Sequence, residues 1–145
     1  MIVALRESVR WRLHELSGSR VHASLRLGPP HHQAFGIVHG GVYAVAVEAV
    51  ASEGANAAVA DQGMIAVGTS NTTSFLRPVK EGWVDVVAVP VFQGRTQQLW
   101  QIDITRRDDG KLAVRGELRL QNLPHPDAVQ DADTVASPSR RSAQG

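Results

Sequence analysis

The sequence predicts an α+β domain in which a curved antiparallel sheet wraps one long central helix. Three observations carry this. A nearly unbroken apolar run follows the glycine-rich turn Gly36-Ile37-Val38-His39-Gly40-Gly41. Two short alternating segments precede that run, and four strand-like segments with turn chemistry between them follow it.

Taken in order, the segments 11–16 and 21–27 alternate in part around Ser17-Gly18-Ser19, the pattern of a hairpin, and Gly28-Pro29-Pro30 ends it. Residues 39–60 follow helical logic. Gly, Ala and Val supply packing surface on most sides, Asn56 comes late, and Asp61-Gln62-Gly63 closes the helix. A helix apolar on most sides is wrapped by other structure. The four strands are read at 64–79, 83–92, 97–105 and 111–122, separated by Lys80-Glu81-Gly82, Gln93-Gly94-Arg95 and Asp108-Asp109-Gly110. In the last strand Arg115, Glu117, Arg119 and Gln121 alternate with Val114, Gly116, Leu118 and Leu120, so one face meets water and the other the core. A sheet curled around one helix lets both bury their apolar surface. The domain is expected to span 1–123. The segment 124–145, rich in Pro, Asp, Ser, Gln and Arg, is expected to be a disordered tail.

A chain of 145 residues fits one domain with one core. Fifteen basic and fourteen acidic side chains leave a net charge of +1, which gives no electrostatic footprint for nucleic acid. The absence of Cys excludes disulfides, thiolate metal sites and a cysteine nucleophile. No run approaches membrane-spanning length and the N-terminus lacks a signal-peptide pattern, so the expectation is a soluble cytoplasmic protein with no membrane partner.

Glu48 stands alone in the apolar run. Burial of a carboxylate costs several kcal/mol unless it is paired, so two readings are open: a short solvent-facing strip, or a catalytic acid or base. Gly40 and Gly41 leave backbone N–H groups unshielded at a helix start, where the dipole favours negative charge. His39, with His31 and His32 upstream, has no metal-ligand spacing and is read as shaping the turn. No G-x-S-x-G occurs, which argues against a serine-elbow hydrolase. Glu53 lies about 140° around the helix from Glu48 and reads as structural or solvent-facing.

The segment Gly36-Ile37-Val38-His39-Gly40-Gly41, the helix bearing Glu48, and the run from Ser70 through Phe75-Leu76-Arg77-Pro78 to Gly82 together resemble hotdog-fold acyl-CoA thioesterases of the PaaI-like group. Within it, the chain is most similar to 4-hydroxybenzoyl-CoA thioesterases with a helix glutamate. The resemblance covers roughly residues 10–123. It implies that the Gly40 N–H polarises the thioester carbonyl, that Glu48 acts as nucleophile or general base, and that Gln33 orients water or the leaving sulfur. His39 and Gly41 belong to the same helix entry, as catalytic and substrate-binding positions respectively. Ser52 would contact the far end of the acyl group, and Arg77, Arg95 and Thr96 would hold the CoA phosphates and pantetheine arm. No cofactor is implied. The chain departs from relatives that carry a basic residue just past the last strand, since it reads Asn122-Leu123-Pro124 there.

Helix geometry adds one constraint. Eight residues advance about 12 Å, so Gly40 and Glu48 of one helix cannot both reach one carbonyl group. Two subunits can supply them, which makes a homodimer with shared sites the expected assembly, and the resemblance implies a dimer of dimers. The functional expectation is hydrolysis of an acyl-CoA, aromatic before aliphatic. A non-catalytic acyl-CoA-binding protein is the rival, and a hydratase ranks last for want of an Asp/His signature.

Overall fold

In the computed structural model, which describes Glu7 and residues 9–127, six strands and one long helix form the domain. Strands β1 (Trp11–Leu16) and β2 (Val21–Leu27) lead through a 3-10 turn at Pro29–His31 to helix α1 (Gly40–Val59). Strands β3 (Met64–Phe75), β4 (Gly82–Gln93), β5 (Gln97–Arg106) and β6 (Leu112–Pro124) follow. All pairings are antiparallel, in the order β1-β2-β4-β5-β6-β3, so β1 and β3 are the edges.

One face of the sheet packs on the helix. Val21, Ala23 and Leu25 of β2, Val84, Val86 and Ala88 of β4, Trp100, Ile102 and Ile104 of β5, and Val114, Leu118 and Leu120 of β6 are all buried. They meet Ala46, Val47, Val50, Ala51 and Ala55 of the helix, and each fully buried Val, Leu or Ile contributes about 1.5–3 kcal/mol. Small residues on α1 let the sheet come close. A Cβ at Gly54 would lie 2.5 Å from Cη2 of Trp100, so that ring occupies the glycine's vacant side. The alternation read in the last strand is the one observed: Arg115, Glu117 and Arg119 are exposed, while Val114, Gly116, Leu118 and Leu120 are buried.

The outer face is polar. Arg115 pairs with Asp103 at 2.9 Å, Arg107 with Asp85 at 2.8 Å, and the guanidinium groups of Arg12 and Arg107 lie 5.0 and 5.3 Å from the Trp83 ring centre. The Arg107 hydrogen bonds, opposed by partial burial and reinforced by His22, lower the Asp85 carboxyl to about 2.

The helix C-terminus is held by a buried polar network. The Gln98 amide donates to the Ala55 carbonyl at 3.1 Å and to Asn122 Oδ1 at 2.9 Å, and its Oε1 accepts from the Trp100 indole at 2.9 Å. Every member has a partner, which is what makes such a network tolerable in a core.

Two strand boundaries are corrected. The third strand stops at Phe75, not at residue 79: the Leu76 and Arg77 N–H groups both turn onto the Ala113 carbonyl, and Pro78 has no N–H to continue a ladder. The sheet wraps the helix as expected and leaves one face of it open, where Gly41, Glu48 and Ala57 are exposed and Val42, Val45, Ala49 and Ser52 half-buried. The last strand runs to Pro124, and the His125 N–H bonds the Gly63 carbonyl at 2.9 Å, past the boundary read at 123. Most of the segment read as a disordered tail, residues 128–145, lies outside the described residues. No helix among the described residues is long and apolar enough to cross a membrane.

Candidate active site

The helix entry is built by a folded connector. The Gln33 N–H bonds the Ile37 carbonyl at 2.9 Å, the Gly36 N–H returns to the Gln33 carbonyl at 3.1 Å, and Gly36 adopts a φ of 75°, which favours glycine. The Gln33 side-chain oxygen accepts from the Phe35 N–H. Val38 then bonds the Val79 carbonyl and His39 the His31 carbonyl, fixing where the helix begins.

His39 is the N-cap. Its Nδ1 accepts from the Gly41 N–H at 3.0 Å, an arrangement that requires Nδ1 to be unprotonated. The cap therefore occupies Gly41 and leaves the Gly40 N–H, which has no acceptor in its own helix, as the free donor at the positive end of the dipole. Its position is set by Phe75. A Cβ at Gly40 would fall 2.5 Å from Phe75 Cζ, so the ring lies directly against the glycine backbone.

Gln33, Gly40, Tyr43, Phe75 and Arg77 line a cleft of about 380 Å³, and Gln33, Phe35, His39, Gly40 and Gly41 line a shallower one beside it. Phe75 borders both and packs on Tyr43 with ring centres 5.8 Å apart. Burial pushes the Tyr43 phenol up to about 12, opposed by the Val79 backbone and the Arg106 charge. The hydroxyl approaches Val79 without closing a hydrogen bond and stays neutral at working pH.

Glu48 stands on the exposed face of α1, two turns beyond Gly40, its carboxylate making no hydrogen bond or ion pair among the described residues. Its Oε1 lies 3.6 Å from where a Cβ would stand on Gly68 of β3. The carboxylate thus escapes the desolvation cost that full burial would impose. Ser52, one turn on, is half-buried, and its carbonyl accepts from the Asn56 amide at 2.8 Å.

The predicted residues do not all meet in one chain. Gln33, Gly40 and Arg77 share a cleft, with His39 and Gly41 at its rim. Arg77 does not pair with Glu81; one guanidinium nitrogen donates to the Leu112 carbonyl at 2.8 Å, leaving the others outward. Arg95 and Thr96 lie at the opposite end of the sheet, in the β4–β5 turn beside Asn122. The ten residues of β5 separate the two ends by about 30 Å, so Arg77 and Arg95 cannot grip one phosphate group from the same subunit.

Sequence reasoning missed Phe75, Tyr43 and Asn71. A signal was present. Ala66 and Gly68 share one face of β3, and an apolar residue at the odd position 75 can join that face only if the alternation slips once between them. It does so at Thr69, which is the extra residue between the pairs Gly68↔Leu120 and Ser70↔Arg119.

Known proteins are similar to this chain in sequence and fold. The protein named "Putative esterase Rv1847", from Mycobacterium tuberculosis, is 40% identical over 111 residues, which is 75% of this chain and 79% of that protein. Its structure superposes with a TM-score of 0.76, covering 79% of this chain and 91% of that one. Thioesterase HI1161 of Haemophilus influenzae is 28% identical in structural alignment, with a TM-score of 0.75 and 82% of each chain covered. The 1,4-dihydroxy-2-naphthoyl-CoA thioesterase 2 of Arabidopsis thaliana is 33% identical over 126 residues, 81% of this chain and 79% of that protein. The two solved structures share the fold of this chain, and the family model described as Thioesterase superfamily matches residues 35–113, more than half of the chain. The chain belongs to the thioesterase superfamily.

Proposed function

We propose that the protein hydrolyses an acyl-CoA thioester, with Glu48 as the reacting carboxylate and the Gly40 N–H as the oxyanion donor. The observation that carries this is the pairing of two unspent groups on one helix. An N–H with no intrahelical acceptor opens a cleft, and an unpaired carboxylate stands on the same helix, facing out of the domain. A donor aimed at developing negative charge and a nearby carboxylate are the two parts that acyl transfer to water needs.

The two groups belong to different sites in one chain, being about 12 Å apart along the helix. A second copy supplies the missing half. Strand β3 is a twelve-residue edge, and the exposed face of α1 beside it carries Val42, Val45 and Ala49 with Glu48. An edge of that length is a template for pairing with another chain, and a two-fold axis there creates two equal sites. Arg95 and Thr96 then act on the nucleotide end from the subunit opposite Arg77. Glu48 either attacks the carbonyl carbon, giving an anhydride and free thiolate, or takes a proton from an attacking water. Gln33 orients that water or the leaving sulfur.

The preferred acyl group is aromatic and hydroxylated, as the resemblance to PaaI-like and 4-hydroxybenzoyl-CoA thioesterases implies. Ser52 lies one turn beyond Glu48, among small residues that leave room for a flat ring, and the name of the Arabidopsis relative records a dihydroxylated aromatic acyl group. Steady-state hydrolysis across benzoyl-, 4-hydroxybenzoyl-, 1,4-dihydroxy-2-naphthoyl- and decanoyl-CoA tests the reading. Glu48→Gln keeps size and shape, and is expected to lower kcat at least about 100-fold with the circular dichroism spectrum unchanged. Near wild-type turnover by that variant refutes the role of Glu48. Clear preference for decanoyl-CoA refutes the aromatic assignment alone.

A further inference from the structure

We infer that Asn71, oriented by Thr73, is a positioning residue that holds the helix turn carrying Glu48 in place on β3, an inference that rests on Glu48 being the reacting carboxylate. The argument starts from the bulge. With regular alternation, Asn71 would share the outer face with Val67; the extra residue Thr69, whose hydroxyl bonds the Arg119 carbonyl at 3.2 Å, reverses the phase. Asn71, Thr73 and Phe75 then lie opposite Leu118, Gly116 and Val114, on the face that meets the helix.

Asn71 uses that placement. Its Nδ2 donates to the Ala44 carbonyl at 2.9 Å. In an α-helix that same carbonyl accepts from the N–H four residues on, which is Glu48, and a carbonyl oxygen has two lone pairs to serve both. An amide could present either end, but the Thr73 hydroxyl lies 2.7 Å from Asn71 Oδ1 and donates to it, turning Nδ2 toward the helix. Three contacts succeed one another along the helix: Phe75 against Gly40, Asn71 on Ala44, and Gly68 beneath Glu48. The first sets the N–H donor and the last leaves room for the carboxylate. The middle contact is the polar one that fixes helix rotation between them.

The full-length chain tests this in two independent readouts. With 4-hydroxybenzoyl-CoA as probe, Asn71→Ala is expected to lower kcat about 10-fold with KM within about 2-fold, and Thr73→Val about 3-fold. Because Thr73 acts only through the amide, the double variant should match Asn71→Ala, a non-additivity that a general loss of stability does not produce. Amide hydrogen exchange supplies the second readout: the Glu48 N–H should exchange at least about 10-fold faster in Asn71→Ala, while the amides of the last helical turn keep wild-type rates. Wild-type kcat in Asn71→Ala, or fully multiplicative effects in the double variant, overturns the inference and leaves the thioesterase reading standing. A wild-type protein inert on every thioester tested overturns that reading instead, and the exchange rates alone then decide whether Asn71 holds the turn.

Discussion

Single side chains in this protein sort by whether their hydrogen-bonding capacity is spent. Arg77 spends one nitrogen on the Leu112 carbonyl and presents the rest at the rim of the cleft, so it has capacity left for a phosphate. Arg77→Ala is therefore expected to raise KM for CoA esters about 10-fold and change kcat less, while a short thioester without the nucleotide is hydrolysed as by the wild type; equal losses on both return Arg77 to a structural role. Asp85 is spent entirely within the fold, on Arg107 and His22. Its folded carboxyl is lowered to about 2, below the unfolded value near 4, so its stabilisation is present above about pH 4 and fades as pH falls through about 2. Urea unfolding should show Asp85→Asn less stable than the wild type at pH 7 and nearly equal to it at pH 2; a gap that persists in acid rules out this origin. The places of Gly40, His39, Glu48 and Arg77 in the fold were legible in the sequence because each is local to a helix entry, the helix itself or a residue before Pro78. Asn71 and Phe75 were not, because what they touch depends on a slip in pairing that puts no motif in the chain.

At the scale of elements, the helix is defined by what it lacks. Its alanines and glycines carry little side-chain bulk, which lets Trp100 from β5 fill the space at Gly54. Gly54→Ala brings a methyl to 2.5 Å from that ring and 2.7 Å from Val21 Cγ2. Overpacking of this kind costs about 1–3 kcal/mol. That outweighs the roughly 1 kcal/mol Ala gains over Gly in a helix. Thermal unfolding should show a lower Tm, and a rise would mean the core gives way more easily than the geometry indicates. Element identities and order were legible, since periods of two and 3.6 residues separate strands from helix and each separator has turn chemistry. Strand ends were less so. Phe75 ends β3 because two N–H groups converge on Ala113, a tertiary event, whereas the apolar tone of the sequence continues to Val79.

For the molecule as a whole, the proposed division of the site between Gly40 of one subunit and Glu48 of another would make activity a property of a pair of chains. Glu48→Gln mixed with a Gly40→Pro protein, in a Phe75→Ala background that makes room for the ring, should regain activity as subunits exchange, with one intact site per heterodimer. The Phe75→Ala protein alone sets the reference rate, and mixtures that stay inactive after proven exchange place the site within one chain. The wrapped helix was readable from composition, but the order of the sheet was not, because strand neighbours are chosen by three-dimensional closure. That order has a consequence for how the molecule is made. Among the described residues strand β3 pairs only with β6, from Phe75↔Val114 to Met64↔Pro124, while β4 and β5 each pair with the strand that follows them. During synthesis the bulged strand emerges from the ribosome well before any of its partner, and its pairing closes a loop that contains all of β4 and β5. The β4–β5–β6 meander is expected to form before β3 docks, so changes in the β3–β6 pair should speed unfolding more than they slow folding, which stopped-flow folding and unfolding rates check. A nascent chain halted before residue 114 carries every side chain proposed for the site but lacks the strand against which β3 must pair.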